Sequence, residues 1–272
     1  MYRLLATDID DTILAPDGSL PDANRRALLD LHRRGIAVVF SSGRATVSLR
    51  RVATDIIDPA DDEYLISFNG ARVTTLLSGH IMTEELLDPQ SIADVTAYTR
   101  RHKLLVHGYG GDLFFAEHTS PDHWSRSVSY ARDTEMDWKT VDSIATALPD
   151  GSAKLLVIGT HDALVDHRRH LLEVSHGRFD VMFSKPNYLE VVRHGISKGT
   201  ALRSLAGHLG IPIEETVAVG DSLNDVEMIR TAGVGVAVAN ARNELKSEAD
   251  VVLDRSAADG AIEELAARFF SE

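Results

Sequence analysis

The sequence predicts an α/β protein built on a parallel sheet, with an α+β module inserted into it. Three observations carry that prediction. In the first third of the chain, short apolar runs ending in small or polar residues alternate with amphipathic helical patterns, the signature of strand-helix repeats. The same alternation returns in the last third. Between them, near residue 75, a hairpin signal breaks the pattern.

Tyr2 to Thr7, Ile36 to Ser41 and Glu63 to Phe68 are apolar runs short enough to be buried strands. Between the first two, Leu20, Asn24, Ala27, Leu28 and Leu31 share one helical face, with Pro21 near its start and Gly35 at its end, where helix terminators belong. Arg72 to Leu76 and His80 to Thr83 then flank a Ser78-Gly79 turn. Asp88-Pro89 opens a helix reaching about His102, and Leu104 to Tyr109 and Leu113 to Glu117 are strands separated by Gly110-Gly111-Asp112. Ala153 to Gly159, a helix, and Phe179 to Ser184 follow. The expected division is therefore a core of residues 1–83 and 185–272, with an inserted module over 84–184. The last third supplies a helix from Ser197 to about Leu209, strand Thr216 to Val219, a helix from Asp225, strands Val234 to Val238 and Asp250 to Leu253, and a closing helix, Ala258 to Phe270.

Composition narrows the function. The 272 residues, 44% hydrophobic and 25% charged, are those of an ordinary globular chain with room for a substantial core. A formal charge of −13 offers no broad basic surface for a phosphate backbone, so nucleic acid is not an expected partner. With no cysteine, disulfides and thiol nucleophiles are excluded. The opening apolar run is cut short by Asp8, Asp10 and Asp11, and no stretch is long enough to span a bilayer. The expectation is a cytoplasmic protein without a membrane partner.

Candidate chemistry gathers at strand ends. Asp8-Ile9-Asp10-Asp11-Thr12 follows the first strand, at the carboxyl edge where open α/β sheets bind ligands. Clustered carboxylates repel one another, and a hard cation such as Mg²⁺ is the simplest reason to collect them; a turn or helix N-cap is the plainer alternative. Ser41-Ser42-Gly43-Arg44 ends the second strand, with a hydroxyl and a glycine that lets backbone amides approach an anion, or else an ordinary Ser-Gly cap. Lys198 stands in the first turn of a helix, where it opposes the dipole and calls for an anionic neighbour unless it is simply solvated. Gly220-Asp221-Ser222-Leu223-Asn224-Asp225 closes a strand with polar groups converging on one turn. Capping by Ser222 or Asn224 would account for part of that string but leaves Asp221 unexplained.

Taken together and in this order, these four strings resemble the motifs of the haloacid dehalogenase superfamily. Ser67-Phe68-Asn69-Gly70-Ala71, Tyr188-Leu189-Glu190-Val191 and Val236-Ala237-Val238-Ala239-Asn240-Ala241 with Ala249-Asp250 are similar to the Cof-type subfamily, which carries an α/β cap of type IIB. Asp11 stands where the family often has Gly, and Ser42 where Thr is commoner. The resemblance implies a Rossmann-like core and a Mg²⁺-dependent phosphatase acting on small phosphorylated metabolites, with sugar phosphates first among them. Asp8 would be the nucleophile that becomes an aspartyl-phosphate, and Asp10 the general acid and base. Asp8, the Asp10 carbonyl, Asp221 and Asp225 would hold the metal. Lys198, Ser42, Gly43 and Asn224 would bind the phosphoryl oxygens, with Arg44, Asn69 and Asn187 beside them. In the cap, His107, Tyr109, Asp112, His118, Lys154 and Lys185 are candidates for specificity, against the commoner reading of each as a solvated or core side chain. A phosphosugar mutase shares the phosphoaspartate and is the alternative enzyme. A silent regulatory protein on the same fold is the other alternative, although it usually lacks one of Asp8, Asp10, Lys198 or Asp221.

Overall fold

A computed structural model describes residues 1–59 and 62–271. From the amino terminus run β1 (Leu4–Thr7), α1 (Asp22–Arg33), β2 (Ala37–Ser41), α2 (Thr46–Thr54), β3 (Tyr64–Ser67), β4 (Arg72–Thr75) and β5 (Ile81–Glu84). There follow α3 (Pro89–Arg101), β6 (Leu105–Gly110), β7 (Leu113–Glu117), α4 (Pro121–Thr134), β8 (Asp137–Thr140) and α5 (Ile144–Ala147). Next come β9 (Leu155–Ile158), α6 (His161–Ser175), β10 (Phe179–Lys185) and β11 (Tyr188–Arg193). The chain ends with α7 (Lys198–His208), β12 (Thr216–Gly220), α8 (Val226–Thr231), β13 (Val234–Ala237), α9 (Asn243–Lys246), β14 (Val251–Val252) and α10 (Ala261–Phe269).

Two units divide these elements, Met1–Thr83 with Ser197–Glu272, and Glu84–Ile196. In the first, eight strands among the described residues order as β14-β13-β12-β1-β2-β3-β4-β5. β1 lies parallel to both β12 and β2. The chain winds outward from β1 through β2 and β3 in one direction, and from β12 through β13 and β14 in the other. The boundary between β1 and β12 is thus the switch point, where such sheets open a crevice past their carboxyl ends. β1 is buried along its whole length, as a strand covered by helices on both faces must be. α1 turns its buried Asn24, Ala27, Leu28 and Leu31 inward, four of the five positions anticipated from periodicity.

The second unit holds a six-stranded sheet, β10-β11-β9-β6-β7-β8. Val106, Leu155, Val157, Val181, Leu189 and Val191 pack with Ile92, Val95 and Leu164 from its helices into a separate core. Asp88 caps α3, its carboxylate accepting from the Ser91 amide at 2.8 Å. The return to the first unit falls at residue 197, twelve residues later than the expected 185. The reason is β11, which pairs antiparallel with both β10 and β9 and so stays in the inserted sheet. Its apolar run suits either sheet, and only pairing decides between them. α4 and β8 were not anticipated. α4 is mostly polar and leaves Trp124 and Val128 exposed, so no continuous apolar run marks it in the sequence. Among the described residues no helix is long and apolar enough to cross a membrane.

Candidate active site

Asp8 emerges directly from β1, its amide donating to the Val219 carbonyl at 3.0 Å. Its side chain is buried, and Oδ1 accepts a hydrogen bond from Lys198 Nζ at 2.6 Å. Lys198 is the first residue of α7. Ser197 and Thr200 form a capping box there, with Ser197 Oγ accepting from the Thr200 amide at 3.1 Å. The cap fixes where the helix starts and hence where the lysine stem enters. A fully buried ammonium at the positive end of a helix needs anions. Asp225 supplies the second, its Oδ1 also 2.6 Å from Nζ.

Asp225 does two jobs at once. Its Oδ2 accepts from the amides of Asp221 at 3.1 Å and Ser222 at 3.0 Å, closing the strand-to-turn corner after β12. Ser222 caps the 3-10 turn Leu223–Asp225, so the capping alternative holds alongside the chemical one. Gly220 is needed at this corner. A Cβ there would lie 2.5 Å from the Asp225 carboxyl carbon. Asp221 is half-buried across the crevice, with Oδ1 accepting from Thr12 Oγ1 at 3.0 Å.

Asp8, Asp221 and Asp225 each present a carboxylate oxygen within 4.8 Å of the others. One lysine faces three carboxyls, and the imbalance shows in their proton affinities. Burial pushes Asp221 up to about 7, helped by the Asp225 carboxylate and opposed by Thr12 and Lys198. Asp8 is held well above the carboxylate range by burial, then drawn back by Lys198 against the repulsion of Asp225, Asp221 and Asp10. Burial alone would lower Lys198, yet the carboxylates of Asp225 and Asp8 raise it, so it stays charged. An all-oxygen, undercompensated anionic set of this kind fits a hard divalent cation.

The residues expected beside a phosphate lie on neighbouring loops. Ser42 is buried at the end of β2, its amide donating to Ile66 O at 2.8 Å and its Oγ accepting from the Arg44 amide at 3.2 Å. Arg44 grips Asp10 with two hydrogen bonds, Nε to Oδ2 at 2.9 Å and a terminal nitrogen to Oδ1 at 2.6 Å. The Asp10 side chain therefore stands apart from the three grouped carboxylates. Asn224 Nδ2 donates to Asn69 Oδ1 at 3.0 Å, and Gly43 lies against the same Asn69 carboxamide. Asp11 has φ 57°, a left-handed conformation that glycine would adopt without strain.

Of the expected site residues, Asp8, Asp10, Ser42, Gly43, Arg44, Asn69, Asn224, Asp221 and Asp225 lie at strand-end turns of the first unit, and Lys198 lies in the same unit at the start of α7. Asn187 does not. It is exposed on the β10–β11 turn of the inserted unit, its carbonyl accepting from the Gly159 amide, because β11 belongs to that sheet. Thr12 and the Arg44–Asp10 pair were missed. Thr12 is 209 residues from its partner Asp221, a separation on which local spacing is silent. Among the cap candidates, His107 and Lys154 are fully buried, the first 2.9 Å from Ser127 Oγ and the second paired with Glu190 at 2.8 Å. Tyr109 OH lies 2.6 Å from Tyr130 OH, and His118 is 3.1 Å from Ser127 Oγ. Asp112 and Lys185 are exposed.

The profile of the haloacid dehalogenase-like hydrolases matches residues 5–265. An HMP-PP phosphatase of Cronobacter sakazakii is 32% identical over 268 residues, covering 91% of this chain and 88% of that protein. A haloacid dehalogenase-like hydrolase from Bacteroides thetaiotaomicron superposes with a TM-score of 0.87 at 26% identity, covering 98% and 99% of the two chains. A protein of Thermotoga maritima does so with a TM-score of 0.85 at 28% identity, covering 100% and 99%.

Proposed function

From the premise that the chain belongs to the haloacid dehalogenase-like hydrolases, we propose that it is a Mg²⁺-dependent phosphatase of small phosphorylated metabolites, working through phosphorylated Asp8. Sugar phosphates are the first substrate class, and HMP-PP joins the panel because a relative is named for it. The observation that carries the reading is Lys198, fully buried and 2.6 Å from both Asp8 and Asp225.

A buried nucleophilic carboxylate must be ionised to attack, and burial opposes that. Lys198 counters the penalty at Asp8 and leaves the second carboxylate oxygen for phosphorus. Asp8, Asp221 and Asp225, with the Asp10 carbonyl, would hold the cation, which when bound neutralises the anion-on-anion repulsion of the attack. As the Asp8–phosphorus bond forms and the ester bond breaks, Asp10 delivers its proton to the leaving oxygen. It then takes one from the water that hydrolyses the acyl phosphate, returning Asp8 and releasing phosphate. For the first of these steps the Arg44 pair must loosen, because a guanidinium clamp favours the carboxylate form. Ser42, the Gly43 amide and Asn224 would bind phosphoryl oxygens, each typically worth about 3 kcal/mol in the transition state.

Phosphate release across sugar phosphates, nucleotides, HMP-PP and p-nitrophenyl phosphate, with and without Mg²⁺, tests the proposal in wild type beside Asp8→Asn. Magnesium-dependent turnover lost in Asp8→Asn is expected. Turnover surviving in that variant would sink the mechanism. Interconversion of sugar phosphates without release would make the protein a mutase, and complete inertness would make it regulatory.

A further inference from the structure

Between β3 and β4 the backbone does something costly. Phe68, Asn69 and Gly70 carry φ values of 53°, 56° and 103° in succession. A left-handed conformation is expensive for a bulky residue such as Phe and tolerated mainly by Gly and Asn. Strain of this kind persists only where the surroundings overdetermine it, and it concentrates at functional sites.

The surroundings here are three loops of the first unit. The Asn69 amide donates to Ser42 O and the Phe68 amide to Arg44 O, both at 3.0 Å, tying the turn to the loop after β2. A Cβ on Gly70 would lie 2.1 Å from Ser197 O and 3.1 Å from Lys198 N, so the turn abuts the start of α7 with room for hydrogen alone. The Asn69 side chain, 1% exposed, accepts from Asn224 Nδ2 at 3.0 Å, and a Cβ on Gly43 would come within 3.0 Å of its Oδ1. A single strained turn therefore touches the segments that carry Ser42 and Arg44, Lys198, and Asn224.

We infer that Asn69 is a positioning residue, which sets the Asn224 carboxamide and the Ser42-Gly43 loop against the phosphoryl group. The inference deepens the phosphatase reading and rests on it. Asn suits the post twice over: it accepts φ near +56° better than other side chains, and its neutral carboxamide accepts from Asn224 without adding a charge beside a phosphate. An aspartate would keep the acceptor and repel the substrate.

Asn69→Gly separates the side chain from the fold, because glycine adopts the same φ without strain. Steady-state kinetics, thermal melting and calorimetric affinity for inorganic phosphate in Mg²⁺ are measured for Asn69→Gly, Asn69→Asp, Asn224→Ala and Asn69→Gly/Asn224→Ala. In Asn69→Gly, kcat/KM should fall about tenfold, the size of one lost directed hydrogen bond, with the melting temperature unchanged or higher. Asn69→Asp should lose more. The double variant should be no worse than Asn224→Ala by more than about twofold, since both changes remove one coupled pair. Wild-type kcat/KM in Asn69→Gly, additive losses in the double variant, or activity falling only in step with melting temperature would each overturn the inference. If wild type hydrolyses no ester, the phosphatase reading has failed by itself. Phosphate affinity then decides here, about tenfold weaker binding in Asn69→Gly upholding the positioning role and equal binding overturning it.

Discussion

Asp221→Asn should stabilise the metal-free protein, and the gain should grow with pH. Asp221 is 3.0 Å from Thr12 Oγ1 through an oxygen that the amide retains, so the substitution removes charge and little else. Its carboxyl is pushed from 3.8 up to about 7, chiefly by burial and the Asp225 carboxylate. The folded state thus holds the proton more tightly than the unfolded chain. A carboxyl raised in this sense costs nothing well below pH 3.8; its ionisation then erodes stability as pH climbs to about 7, and the loss is constant above. At 1.36 kcal/mol per unit the erosion is about 1.7 kcal/mol at pH 5 and about 4 kcal/mol at pH 8. Asparagine does not titrate. Urea denaturation in EDTA should therefore find the variant more stable by roughly those amounts, with the difference widening between the two pH values. With excess Mg²⁺ the order should narrow or invert, since the cation stabilises only the folded wild type. An Asp221→Asn protein no more stable than wild type at pH 8 in EDTA would refute the claim that this crevice is electrostatically undercompensated.

Lys198→Met should cost about 3–5 kcal/mol at pH 8, as for any buried ion pair stripped of one partner, with phosphate release lost; a variant as stable as wild type in denaturant titration would contradict the pairing with Asp8 and Asp225. Gly220→Ala should displace the Asp225 carboxylate, which lies 2.5 Å from the added methyl, destabilising by about 2 kcal/mol or more and lowering kcat; wild-type melting and kcat would show that the corner has slack. In the inserted unit, His107 is lowered to about 3 by burial, then by His118, His123 and Lys154. Its neutral form is favoured in the folded state, so stability is intact above pH 6.5 and lost as pH falls towards 3. Between pH 7 and pH 5 wild type should lose about 2 kcal/mol more than His107→Gln. Both tryptophans, Trp124 and Trp138, lie in that unit, so their fluorescence reads it directly; parallel pH profiles in the two proteins would dismiss the effect.

The strand-helix repeats were legible because burial on both faces makes parallel strands continuously apolar, and because proline, glycine and Asp88 mark helix ends. The candidate acids were legible because each stands just past a strand, at an edge that the α/β topology makes a crevice. Other features were not. The end of the inserted unit was misplaced because a run such as Tyr188–Val192 fits an inserted antiparallel sheet as well as a parallel core. The half-exposed α4 escaped because its polar residues, with only His123 and Ser127 buried, leave no apolar run to mark it.

By itself, the sequence determined the fold class, the insertion, and which carboxylates and which lysine are candidates for the site, since those follow from local pattern and order along the chain. Tertiary structure decided how they are used. It put Lys198 between Asp8 and Asp225, turned Asp10 to Arg44, gave Asp221 the Thr12 hydroxyl, and joined Asn69 to Asn224. Those partners are brought together across long stretches of chain by sheet registry and by close approaches at Gly220 and Gly70. Directional bonds and van der Waals contact depend on distances in space, which local sequence spacing does not encode.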